Sequence, residues 1–488
     1  MRRNIQWFAA SCLIGACAKP VDNPPAPEAG RYWAHLFGHG EAQHDTTAWF
    51  EYKLGPAAWD GASRTPIVSV AQGDDFPDGW LYGLDPQTGY EVRSCSDDAG
   101  CDASIAFTTR ASTFDARFVQ VDPTDSHYLA LDDGTRWIPW GNNYVGVTGA
   151  GPNQLVEDQM YSDAGRVLIE ADFARLADVA PPTAAANVIR MHLQLHTFLV
   201  DPTTPDPEAF ARFARVIEDA EDSGLRVLVT GLNDFYPADN PAWLGQQTDE
   251  ATHWATQALW WSNMALALHA SPGVFGYDLM NEPYVGGSKI GADGLVWWTN
   301  VSPTTYCDYG ADATMGVHGT CFGQFVSPDQ GTRTVDDVAT AWTTQMVTAI
   351  HSTDPNHLVT IGVGAFGLSN VFNSSAGVHA QLDFLEPHIY PDSKDNGQAA
   401  IDLATGLAAL TTKPIVAGET FTFGPVRHLI STASNSVHGW IGQYDGRILG
   451  DACPPGVNPF GCALFDAWYQ VQSDYGPTMR AGQCPPVE

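Results

Sequence analysis

Apolar and polar positions fall into two regimes along the chain. Between residues 31 and 125 the apolar residues come in short β-branched and aromatic runs, such as 48–52, 66–70, 79–82, 105–107 and 117–121, separated by turn-forming residues. No stretch there repeats at helical spacing, so the pattern predicts a β-sandwich. From residue 126 the pattern changes. A hairpin of 128–131 and 136–140 about the turn Asp132-Asp133-Gly134 opens a series in which apolar runs alternate with helical periodicity.

The strand candidates of that series are 136–140, 187–191, 225–229, 274–280, 357–361, 382–385, 414–417 and 437–441. Helix candidates lie between most of them. One covers 159–179, one carries Phe210, Phe213, Val216 and Ile217, one runs through Trp260 and Leu266, one carries Val338, Trp342, Met346 and Ile350, and a last one lies near 463–471. Short apolar strands with a helix in most intervals are what a buried parallel sheet requires. Eight strands without a Gly-x-Gly-x-x-Gly after the first favour closure over an open doubly wound sheet. The expected fold is therefore α/β, a (β/α)8 TIM barrel over 126–488 with an N-terminal β-sandwich accessory domain over 31–125. The aromatics of the sandwich are read as core; a carbohydrate-binding surface is the sharper alternative.

Composition narrows the partners. With 23 basic and 56 acidic residues the formal charge is −33, which excludes nucleic acid as an expected partner, because binding phosphates needs a basic patch that releases counterions. Basic Arg2 and Arg3 precede an apolar run that ends at Ala16, too short to span a bilayer and shaped as a secretory signal over 1–16. Leu13-Ile14-Gly15-Ala16-Cys17 resembles a bacterial lipobox, which implies lipidation of Cys17 and a Pro-rich tether over 17–30. The expected location is the bacterial cell envelope, as a lipoprotein of the outer membrane or cell surface, and the expected state is a monomer. Among the nine cysteines, Cys95 with Cys101, Cys307 with Cys321 and Cys453 with Cys462 are spaced as local staples, leaving Cys484 over. No spacing calls for a metal, and no cofactor is expected.

Barrel active sites lie where strands end at their C-terminal side, so polar residues that directly follow apolar runs carry the candidate chemistry. The fourth strand runs into Asn281-Glu282-Pro283 and the seventh into Gly418-Glu419-Thr420. Two acids at the mouths of separate strands are what retaining glycosidic cleavage needs, one to protonate the leaving oxygen and one to attack the anomeric carbon. On these motifs the barrel resembles the retaining glycoside hydrolases of the clan that includes family 5, the cellulase and mannanase family.

The resemblance implies that Glu282 is the acid/base and Glu419 the nucleophile. It implies that Asn281 bonds the sugar 2-hydroxyl, that Arg190 holds the nucleophile ionised, and that His388 and Tyr390 form the family's His-x-Tyr pair with Tyr390 on the nucleophile. Trp440 matches the aromatic floor under the reacting sugar, and Asn142 and Asn143 fall at the Asn position after the first strand. One departure stands out: the third strand ends in Gly231-Leu232-Asn233-Asp234, with Asn233 or Asp234 where the family usually has His. His192 and His196 are the candidate substitutes. The implied activity is hydrolysis of a β-linked polysaccharide or oligosaccharide of β-glucan or β-mannan type, endo in mode, by double displacement. The alternatives are a non-catalytic surface glycan-binding lipoprotein and a transglycosylase using the same residues.

Overall fold

The computed structural model describes residues 25–150, 155–178, 185–233, 250–285, 326–327, 331–364, 370–453 and 458–485, with Pro241, Trp243 and Leu368 between them. The signal over 1–16, Cys17 and the Cys307/Cys321 pair lie outside the described residues.

Seven parallel strands follow one another in a single sheet: Trp140–Tyr144, Val188–His192, Arg226–Thr230, Val274–Asn281, Leu358–Val363 and Glu386–Pro387, with Trp440–Gln443 beside the first. Residues 415–419 fill the gap between the last two through parallel bridges Leu385 to Ile415, His388 to Glu419 and Ala417 to Trp440. Because Trp140 pairs with Trp440, the ring closes as an eight-stranded TIM barrel.

Side chains alternate sides along each strand. Val188, Leu228, Phe275, Leu358, Phe384, Val416 and Ile441 point inward and form one apolar layer. Their neighbours Ile189, Val227, Val229, Tyr277, Val359, Ile361, Leu385, Ala417 and Trp440 point outward into the larger core beneath the helices. The longest helices are Pro207–Asp222, Glu250–Leu268, Val335–His351 and Pro459–Arg480. Their starts are fixed locally: Asp206 caps the first with Pro207 behind it, and Thr334 forms a capping box with Asp337 on the third.

The hairpin before the barrel does something the apolar pattern did not reveal. Leu129–Leu131 pairs antiparallel with Arg136–Trp137 on one side and Val119–Val121 on the other. Val119, Leu129, Leu131 and Trp137 pack against the inward apolar layer, so this small sheet plugs the barrel at the end opposite the strand mouths. Two expectations are corrected. The run 117–121 belongs to the plug and not to the sandwich, and of the candidate 136–140 only Trp140 enters the first barrel strand, Arg136–Trp137 pairing in the plug. Strand length alone could not separate a plug strand from a sandwich strand.

Ahead of the plug lie two antiparallel sheets. One holds Glu28–Ala29, Trp33–Leu36 and Gly79–Tyr82, and the other is built on Thr46–Leu54 and Gly89–Ser96. Ala34, Leu36, Phe50, Leu81, Leu84, Tyr90 and Val92 pack as the core between them, as in an accessory β-sandwich. The Cys95–Cys101 and Cys453–Cys462 disulfides are formed, and Cys484 is free. Among the described residues no helix is long and apolar enough to cross a membrane.

Candidate active site

Alternation decides which polar residues enter the barrel. On the second strand Arg190 and His192 follow Val188 on the inner face; on the sixth, Glu386 and His388 follow Phe384. The fourth strand shifts register between Asp278 and Asn281, and this irregularity lets both reach Arg190 although they are three residues apart.

Arg190 is fully buried and is the hub. Its NH2 donates to Asp278 Oδ2 at 2.6 Å and Asn281 Oδ1 at 2.9 Å. Its NH1 donates to Asn143 Oδ1 at 2.8 Å and Glu419 Oε1 at 2.9 Å and lies 2.8 Å from His192 Nε2. Burial, followed by the Arg190 charge, pushes His192 down to about 3, so its Nε2 stands as a neutral acceptor. Room for the guanidinium comes from Gly362 on the fifth strand, where a Cβ would collide with Arg190 NH2.

Glu419 also accepts from the Tyr390 hydroxyl and, at 3.2 Å, from Gln443 Nε2. Burial works against its charged form, but His388, Arg190 and the Tyr390 hydrogen bond outweigh that and hold the carboxyl down at about 2. Across the mouth, Glu282 Oε1 lies 2.8 Å from His388 Nδ1. Glu282 sits at φ 51°, a left-handed conformation that costs a non-glycine residue about 1–3 kcal/mol, and its backbone N donates to Gly362 O at 2.7 Å. One oxygen each of Glu282 and Glu419 and a ring nitrogen of His388 lie within 4.8 Å of one another. That spacing also suits a metal, but Arg190 already supplies the positive charge at Glu419. The other such trio, Glu51 with Cys95 and Cys101, has both sulfurs in a disulfide.

Of the residues singled out in the sequence, Glu282, Glu419, Arg190, Asn281, His192, His388, Tyr390 and Asn143 come together. Three do not. Asn142 points outward and accepts from Trp468 Nε1. Asn233 is buried in its own turn, its Nδ2 donating to Thr230 O at 3.0 Å, and none of its hydrogen bonds reaches the carboxylates. Trp440 is corrected most clearly: it opens the eighth strand, is fully buried and points away from the barrel axis into the outer core. Gln443, three residues on and on the opposite face, occupies the mouth instead. Sequence reasoning missed Gln443, Asp278 and Glu386 as site residues. The signal was available, since each lies an even number of strand positions from an inward residue or beside the register shift, but it needed the inward face to be known. Asp234 lies outside the described residues.

A plugged eight-stranded barrel with paired acids at its mouth defines the class: the protein has the (β/α)8 fold of the glycoside hydrolase clan that includes family 5. Within it, residues 182–422, just under half of the chain, match the model of Cellulase (glycosyl hydrolase family 5). No curated protein matches the chain. Among solved structures it is similar to an exo-β-1,4-mannosidase from Opitutaceae bacterium strain TAV5, at 14% identity and TM-score 0.48 over 73% of this chain and 62% of that one. It is similar to a β-1,4-mannanase from the sea hare Aplysia kurodai, at 16% identity and TM-score 0.47 over 74% and 98%. A β-glucuronidase from Ruminococcus gnavus aligns at 12% identity and TM-score 0.41 over 92% and 67%. The chain thus spans 62% of the length of the mannosidase.

Proposed function

We propose that the protein is a retaining glycoside hydrolase that cleaves a β-linked polysaccharide or oligosaccharide, of β-glucan or β-mannan type, in endo fashion. The observation that carries this reading is the approach of Glu282, His388 and Glu419 within 4.8 Å, in line with the roughly 5–5.5 Å between carboxyl groups that double displacement uses. Glu419, ionised and fixed by Arg190, Tyr390 and Gln443, attacks the anomeric carbon. Glu282, oriented by His388, gives its proton to the departing oxygen. The C–O bond breaks, a glycosyl ester forms on Glu419, and the leaving sugar departs as an alcohol. Glu282, now a carboxylate, takes a proton from water, and the resulting hydroxide opens the ester with net retention. Asn281, held by Arg190, bonds the 2-hydroxyl.

Phe423 supports a sugar-binding mouth: the residue is 57% exposed and its ring centroid lies 5.8 Å from that of Tyr390, which itself bonds Glu419. Lipidation of Cys17 would place this activity at the cell envelope; Cys17→Ser is expected to move the protein from the membrane fraction to the soluble one.

The test is a panel of β-glucans and β-mannans with products resolved by size and anomeric form. We expect retained β-anomers of intermediate length. Glu282→Gln and Glu419→Gln are each expected to cut turnover by about 10³-fold or more while circular dichroism stays unchanged. Near-normal activity in either variant would refute the assignment, and release of inverted sugars would refute the mechanism. Yield that moves to longer products when acceptor sugars are added would redirect the reading to transglycosylation.

A further inference from the structure

Glu386 is a carboxylic acid in the wall of the site that neither sequence motif nor mechanism requires. It comes from the sixth strand, two residues before His388, and is about 99% shielded from solvent. Its Oε1 lies 2.6 Å from Arg190 Nε, whose N–H points more directly at Asp278 Oδ2 at 3.2 Å, and no donor other than Arg190 reaches either Glu386 oxygen. The space it fills is shaped for it: on the seventh strand, Gly418 has no side chain because a Cβ there would collide with Glu386 Oε1.

The charges that face Glu386 come from four strands. Arg190 and neutral His192 stand on the second, Asp278 on the fourth, His388 on the sixth and Glu419 on the seventh, with Glu282 and Tyr390 at the mouth above. Asp278, Glu386 and Glu419 all contact the one guanidinium. Arg190 touches all three carboxylates and His388 adds its charge only on the Glu419 side, so such a set in a dry interior keeps a proton on its least solvated, least hydrogen-bonded member. Asp278 accepts from Gly362 N at 2.7 Å and from Arg190, and Glu419 accepts from Arg190, Tyr390 and Gln443. Glu386 has only the contact to Arg190 Nε. Burial, then Asp278, move its titration well above the ordinary carboxylate range, with Arg190 opposing.

We infer that Glu386 is a neutral carboxylic acid in the working protein and a positioning residue, buttressing the Nε edge of Arg190 so that the guanidinium's charge stays with Asp278 and Glu419. The positioning role rests on the glycosidase reading above; the proton does not. Were Glu386 ionised, it would draw Arg190 toward itself and add a negative charge beside both mouth carboxyls.

The test pairs infrared spectroscopy with kinetics on the full-length protein and its Glu386→Gln and Glu386→Ala variants. At neutral pH the wild type is expected to show the carbonyl band of a protonated buried carboxyl, and Glu386→Gln to lose it. Glu386→Gln, neutral for neutral, is expected to retain more of kcat than Glu386→Ala and to leave both limbs of the pH profile in place. Glu386→Ala is expected to lower kcat roughly 10- to 100-fold with KM little changed, because a shifted Arg190 misplaces Glu419 without altering sugar contacts. A missing infrared band, or a pH profile that Glu386→Gln moves about one unit toward lower pH, would overturn the neutral acid. Full activity in Glu386→Ala would overturn the positioning role. Should Glu386→Ala fail to fold, the band and the Glu386→Gln profile decide. A wild type inactive on every glycan would sink the glycosidase reading and the positioning role together, while the band still decides the proton.

Discussion

Glu419 owes its ionised state to neighbours rather than to solvent, since its side chain is only 12% exposed. The linkage has a definite sign. Its carboxyl is lowered from 4.5 to about 2 in the fold, so the unfolded chain binds the proton first as pH falls. The stabilisation from its ionic contacts is present above pH 4.5 and is lost as pH falls through about 2. Wild type is therefore expected to lose stability relative to Glu419→Gln across that window, read from urea midpoints at a series of pH values. A constant difference between the two proteins would show that Glu419 is not depressed. The residues that hold this carboxylate were partly legible in the sequence. Arg190 and Tyr390 follow from motif positions, whereas Gln443 depends on which way the eighth strand faces.

That facing is a property of the element. In the run Trp440-Ile441-Gly442-Gln443, Ile441 joins the inward layer and Trp440 the outer core, so one step of register separates a sugar platform from a packing residue. Aromatic identity at a strand near the C-terminus could not tell the two apart. Trp440→Phe is expected to lower stability by about 1–3 kcal/mol, between a conservative trim and a full truncation, with KM unchanged, as checked by denaturant melts and kinetics. Phe423→Ala, on the exposed ring beside Tyr390, is expected to do the reverse: KM rises several-fold while the unfolding midpoint stays put. If Trp440→Phe raises KM instead, the outward placement of Trp440 is wrong in function. Elsewhere the elements were legible wherever the period was long. The helices near Phe210, Trp260 and Val338 sit where apolar spacing put them. The plug strand Val119–Val121 was not, because three residues carry no register.

At the scale of the molecule, the antiparallel sheets are tied to the barrel through buried charge. Arg31 NH1 donates to Glu221 Oε2 at 2.9 Å, with 6% and 0% of the side chains exposed. The Tyr32 hydroxyl donates to Glu221 Oε1 at 2.7 Å, and Arg110 NH2 meets Glu218 Oε2 at 2.6 Å. All three acceptor contacts land on the helix Pro207–Asp222, on the outside of the barrel. Removing one partner of a buried pair strands the other, at a cost of about 3–5 kcal/mol. Arg31→Ala is expected to lower global stability by that order, or to split unfolding into two transitions, as scanning calorimetry would show. Unchanged melting would mean that the sheets and the barrel do not depend on this contact.

The sequence by itself determined the alternation of strands and helices, the carboxylates at two strand ends and the local disulfides, because each rests on near neighbours: periodicity, a motif of a few residues, or a short loop. Only the tertiary structure decided which face of each strand looks inward, that residues 119–137 plug the barrel, and that three acids share Arg190. Those depend on closure of the ring, which brings residue 190 against residues 278, 386 and 419, and no local pattern encodes how far a closed sheet turns each side chain.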